Sequence, residues 1–105
     1  MYRNMDNQHR VIKGYRELSA EEIALMNEVK EEGQRLADLL KKVEEHVSKQ
    51  YDDQYALLDG EVWDTTPELD RLNAAMPFRW HQQATDEFQT ALMKLIRSVA
   101  QPTTF

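Results

Sequence analysis

Residues 18 to 47 read LSAEEIALMNEVKEEGQRLADLLKKVEEHV, and the fold follows from them. Ser19 stands three residues before Glu22, so its hydroxyl can accept from the Glu22 amide while the Glu22 carboxylate reaches back to the Ser19 amide, a capping box. Leu18, just before the cap, and Ile23, at the fourth helical position, can close a hydrophobic staple across it. Beyond the cap, apolar positions recur at Ile23, Met26, Val29, Gly33, Leu36, Leu40, Val43 and Val47, in steps of three or four, and the opposite face is rich in Glu and Lys. This pattern predicts one long amphipathic helix over residues 19–50, its end fraying through Leu58, with the charges on its outer face solvated and weakly paired.

C-terminal to this helix, Asp52-Asp53, Asp59-Gly60 and Asp64-Thr65-Thr66-Pro67 are turn and cap signals, with Tyr51, Tyr55, Leu57, Leu58, Val62 and Trp63 as anchors. Thr66 before Pro67 is a good N-cap and first-turn pair for a short helix to about Ala75, and Pro77 opens the next element. Trp80, Ala84, Phe88, Ala91, Leu92, Leu95, Ile96 and Val99 then mark a second long helix, over residues 77–101, that ends before Pro102. The expected fold is all-α: an antiparallel helical hairpin in one domain, 1–105, with an N-terminal arm at 1–18 and a connector at 51–76 that holds the short helix.

Composition bounds the function. The chain has 105 residues, no cysteine and a net charge of -6. The absence of cysteine excludes disulfide frameworks and thiolate zinc sites, and His9, His46 and His81 form no ligand set, so no metal or cofactor is expected. An acidic chain is a poor duplex nucleic-acid binder, because such proteins neutralise many phosphates with clustered Lys and Arg. No segment approaches the roughly 18 to 20 apolar residues of a membrane span, and Met1 to Arg10 lacks the apolar stretch of a signal peptide. A soluble, cytoplasmic protein is expected. Mean hydropathy of -0.74 in so short a chain implies a thin core, and hence burial of further surface between copies.

Gly14-Tyr15-Arg16 before the cap and Lys30 within the first long helix form the most suggestive group. Lys30 lies at the margin of the apolar stripe beside Met26 and Gly33, and Gly33 costs about 1 kcal/mol against Ala in a helix interior. A gap beside a cation can be a ligand notch. Equally, Gly33 can admit a close helix neighbour while Lys30 extends its ammonium from the edge of the stripe to solvent.

These residues also carry a resemblance. Asn7 to Ser19 (NQHRVIKGYRELS), Glu21-Glu22-Ile23 and Leu25 to Lys30 resemble the phage anti-CBASS cyclic-nucleotide sponges. Arg79-Trp80 and Ala91 to Pro102 resemble the second hairpin helix of that family, and the hairpin is shared with some phage anti-Thoeris sponges. The resemblance covers about half of the chain, at both ends. It implies a compact homo-oligomer, typically a hexamer, that sequesters cyclic oligonucleotide signals in the infected bacterial cell without cleaving them.

Tyr15 and Lys30 fall where the family's cyclic-dinucleotide residues fall, the ring stacking on a base and the ammonium pairing with a phosphate. Arg16 and Gly33, their neighbours, are further ligand-binding candidates. Arg79 and Arg97 are candidates for a second pocket, which in some relatives takes cyclic trinucleotides, although a solvated or interface arginine explains them equally. Residues 51–76 are longer and more acidic than the family's usual connector.

Three other readings stay open: a sponge for cyclic ADP-ribose signals, a purely structural or partner-binding hairpin, and an all-α metal-dependent nucleotide pyrophosphohydrolase. The last would use Glu28, Glu31 and Glu32 with Glu61 and Asp64, but the second pair lies in a turn-rich stretch unsuited to rigid metal geometry. No nucleophilic or acid–base catalytic set is present in the sequence.

Overall fold

The capping box forms as the sequence predicts: the Ser19 amide donates to Glu22 Oε1 at 2.9 Å, and the Glu22 amide donates to Ser19 Oγ at 3.1 Å. The computed structural model describes residues 16–58 and 64–104. From this cap runs helix α1, Ala20–Tyr55, about 54 Å long at 1.5 Å per residue. It passes through Asp52-Asp53, where the sequence signals a turn. A tertiary contact and a local pair carry it further: the Tyr51 ring stacks on Phe78, centroids 5.6 Å apart, and within the helix Lys49 pairs with Asp53 one turn on at 2.7 Å. Val62 and Trp63, expected as anchors of the connector, lie outside the described residues.

Helix α2, Pro67–Ala75, starts at Thr66 and ends at Met76, which sits in the left-handed region at φ 50°. Pro77 follows and disfavours a right-handed helical conformation at Met76, so the chain turns there and α3, Pro77–Ala100, begins at once. Among the described residues there is no strand. No helix of these residues is long and apolar enough to cross a membrane.

The chain divides into two compact units, Met1–Gln34 with Gln89–Phe105, and Arg35–Phe88. In the first, the N-terminal part of α1 runs antiparallel to the C-terminal part of α3. Gly33 eases this approach: a Cβ there would lie 3.2 Å from Leu92 Cδ1, close enough that the Leu92 side chain would have to give by a few tenths of an ångström. In the second unit α1 and α3 are again antiparallel, Leu40 meeting His81 and Tyr51 meeting Phe78. Its core is Val47, Leu69 and Leu72, the buried hydrophobic residues of the described chain.

Thr66 ties α2 into this unit. Its hydroxyl accepts from the Leu69 amide at 3.0 Å and donates to Gln54 Oε1 at 2.6 Å, so it uses both of its capacities at once. Thr66→Ala removes the cap and leaves Gln54 without that donor, and it is expected to lower the unfolding free energy by about 1 to 2 kcal/mol. Urea denaturation checks this. Thr66→Ser, which keeps the hydroxyl, stays close to wild type.

Candidate functional site

The sequence places its main candidates, Tyr15 and Lys30, on either side of the capping box. Tyr15 lies outside the described residues, which begin at its neighbour Arg16. Lys30 is exposed on α1 in the first unit, and its ammonium makes no ion pair with a described residue. Gly33, one turn further on, is half-buried, and the notch left by its missing side chain is taken up by Leu92.

Arg16 is heavily engaged. Nη1 donates to Glu22 Oε1 at 3.0 Å, Nη2 donates to Glu22 Oε2, and Nη2 also donates to the carbonyl of Val99 at 2.8 Å. The Val99 carbonyl belongs to the last turn of α3, where carbonyls lack intrahelical partners and a cation is favoured by the helix dipole. Glu22, in the first turn of α1, is favoured there for the opposite reason. One guanidinium therefore joins the start of one helix to the end of another. The sequence shows Glu22 as a capping residue; its pairing with Arg16 carries no sequence signal beyond the nearness of the two, and the Val99 carbonyl carries none.

The Arg16 guanidinium, with the Ser19 amide and hydroxyl, holds the Glu22 carboxyl down at about 2. Its pKa in the folded chain thus lies below the ordinary carboxylate value, so the stabilisation is present above pH about 4.5 and is lost as pH falls toward about 2. Thermal melts of wild type and Glu22→Gln are therefore expected to differ most at neutral pH and to converge between pH about 4.5 and about 2. A difference that persists unchanged at pH about 2 contradicts the pairing.

The other candidate arginines sit apart in sequence. Arg97, in the first unit, is exposed and reaches the carbonyl of Thr104 at 3.4 Å. Arg79, in the second, lies over the Trp80 ring, 5.8 Å from its centroid, and both side chains are exposed. No other described contact holds either side chain. Among the described residues no three His, Cys, Asp or Glu side chains cluster so as to hold a metal ion.

The second unit carries an apolar groove of about 430 Å³, lined by Leu36, Leu39 and Val43 of α1 and by Trp80, His81 and Phe88 of α3. His81 Nε2 lies 2.7 Å from the carbonyl of Leu40, and because a carbonyl only accepts, this nitrogen carries the hydrogen. Trp80 is 59% exposed and Leu39 56%. Periodicity placed Trp80, Phe88, Leu95 and Val43 on core-facing stripes, yet all four remain open to solvent in the single chain. In the first unit Leu25, Met93 and Leu95 are likewise exposed.

Comparison with known proteins adds the family. The model of the Acb2/Tad1 hairpin domain matches residues 7–100. The chain is similar to Anti-CBASS protein 2 of Pseudomonas phage JBD67, with 39% identity over 105 residues, covering 93% of this chain and 97% of that protein.

Proposed function

Because this chain belongs to the Acb2/Tad1 hairpin-domain family, we propose that it is a phage immune-evasion protein that binds cyclic oligonucleotide messengers and withholds them, uncleaved, from CBASS effectors in the infected cell. The observation that supports this most is Lys30. It lies within the matched residues 7–100, as Tyr15 does, and presents an exposed ammonium that no described residue neutralises. A phosphate takes such a charge, and a base stacks on the Tyr15 ring.

The ligand class follows from symmetry. A cyclic dinucleotide such as cyclic GMP-AMP has two bases and two phosphates about an approximate two-fold axis, so a pocket made by two copies offers Tyr15 and Lys30 twice each. Stacking contributes roughly 1 to 3 kcal/mol per base and a charged hydrogen bond roughly 1.5 to 3. Doubled, these amount to roughly 5 to 12 kcal/mol before ordering costs, so the roughly 12 kcal/mol of nanomolar binding also draws on further contacts in the pocket. Arg16 and Gly33 are further candidates beside this site, and Arg79 and Arg97, in separate units, are each a candidate for a second pocket for cyclic trinucleotides.

Self-association completes the reading. With three buried hydrophobic residues in the described chain, and with Trp80, Phe88, Met93 and Leu95 exposed, a second copy is the natural cover for these faces, and a homo-oligomer, a hexamer by analogy, results. Titration with cyclic GMP-AMP followed by heat denaturation tests the whole proposal. A sponge binds and returns the ligand intact. A hydrolase returns cleaved product, a structural hairpin binds nothing, and a sponge specific for cyclic ADP-ribose isomers ignores this ligand but takes up those; each of these three results overturns it.

A further inference from the structure

We infer that the apolar groove of the second unit is an isologous contact between two copies of this chain, in which two α3 helices cross antiparallel about Ala84. Trp80 of each copy then lies against the partner's Phe88, and Arg79 pairs with the partner's Glu87. This deepens the self-association proposed above by naming the residues that carry it, and it needs nothing of the messenger.

The groove suits a protein face. Trp80, Ala84 and Phe88 line it from one side of α3 at spacings of four, so two large exposed rings, about 12 Å apart along the helix, flank a small side chain. Turned by a half rotation about an axis through Ala84, this row meets itself in reverse, each tryptophan opposite a phenylalanine and small against small. Of the side chains that line the groove, Trp80 and His81 alone carry a polar atom, and His81 Nε2 already donates to the Leu40 carbonyl. A small polar ligand would find few groups to orient it, whereas aromatic rings set in an apolar surface are what protein contacts bury.

Charge selects the direction. At 100° per residue, Arg79 and Glu87 fall on the same flank of this row, one before Ala84 and one after it. Both are exposed, and neither forms an ion pair with a described residue. Arg79 is held beside the face by its position over the Trp80 ring, 5.8 Å from the centroid. An antiparallel two-fold brings Arg79 within a turn of the partner's Glu87, and does so twice; a parallel pair would set each charge against its like. Arg79 thereby takes the interface role that the sequence leaves open for it, in place of a phosphate.

Sedimentation velocity of the full chain without messenger, with a crosslinking arm, tests this. Wild type is expected to sediment as an oligomer, and Trp80→Ala to dissociate at least about tenfold more readily, because an aromatic anchor carries much of the energy of a contact. Arg79→Glu and Glu87→Arg each set like charges together and are expected to weaken assembly by at least about tenfold. Combined in one chain they exchange the partners and restore the wild-type mass, which a misfolded chain could not do. The chain has no cysteine, so Ala84→Cys is expected to give a disulfide-linked dimer under mild oxidation, and Gln82→Cys, on the opposite side of α3, is not.

A monomeric wild type, its groove left to a small molecule or to another protein, overturns the proposal. So does an assembly that Trp80→Ala leaves unchanged, a charge exchange that fails to restore the mass, or crosslinking through Gln82→Cys in place of Ala84→Cys. These readings are made without nucleotide, so their failure is separate from that of the messenger site. A protein that assembles in this way but ignores cyclic GMP-AMP upholds the contact and overturns the function.

Discussion

Lys30→Ala and Tyr15→Ala are each expected to weaken the binding of a cyclic dinucleotide by at least about 2 kcal/mol, roughly thirtyfold. The size follows from the exposure of Lys30 and from the two-copy pocket proposed above. Lys30 is exposed on α1 and bound to no described carboxylate, so a phosphate need not displace an existing partner before pairing with it. In a two-copy pocket each substitution deletes two contacts. Lys30→Arg separates charge from shape: it keeps the cation but changes a compact ammonium for a wide fork, and it is expected to restore part of the affinity. Arg97→Ala serves as the contrast, since Arg97 is exposed and makes only a long contact to a backbone carbonyl. Isothermal titration checks the series, and near wild-type affinity in a folded Lys30→Ala protein removes the assigned site.

The largest effect on stability is expected at Leu72. It is 2% exposed, the most buried of the three core residues Val47, Leu69 and Leu72. Leu→Ala at such a site loses the transfer free energy of the removed atoms and leaves a cavity, about 3 kcal/mol within a usual range of 2 to 5. Small domains have about 5 to 15 kcal/mol in total, so the change consumes a large share of it. The Leu72 carbonyl also accepts the amide of Met76, which closes α2, so disturbance of the core reaches the turn into α3. Leu57→Ala is the control. Leu57 is 67% exposed, and its truncation is expected to cost within about 0.5 kcal/mol. Urea denaturation at one fixed protomer concentration compares the two, because assembly would otherwise make apparent stability depend on concentration.

The parts of this fold that sequence revealed are those fixed by near neighbours. The Ser19–Glu22 box and the Thr66–Pro67 start of α2 each depend on a few consecutive residues, and both form as their spacing predicts. The contacts that shape the candidate site are different in kind. Arg16 meets Val99, 83 residues away, at a backbone carbonyl, a group every position possesses and none advertises. Gly33 is a helix-weakening residue by propensity alone, and only the placement of Leu92 explains it.

Periodicity has a related limit. It located the apolar faces at Val43, Trp80, Phe88 and Leu95 but not what would cover them, since an apolar stripe looks the same whether its partner is the same chain or another. The reach of α1 to Tyr55 is only weakly marked in the sequence, as a frayed end running toward Leu58, for the opposite reason. Asp52-Asp53 is a turn signal on local grounds, and the stacking of Tyr51 on Phe78 outweighs it from a distant part of the sequence.

Native mass spectrometry of the assembled protein after incubation with cyclic GMP-AMP decides whether it holds the messenger without cleaving it. The expected species is a homo-oligomer carrying one dinucleotide for every two chains, with the nucleotide released on denaturation at its original mass. A monomer without nucleotide, or an oligomer from which only linear product emerges, contradicts the proposed function.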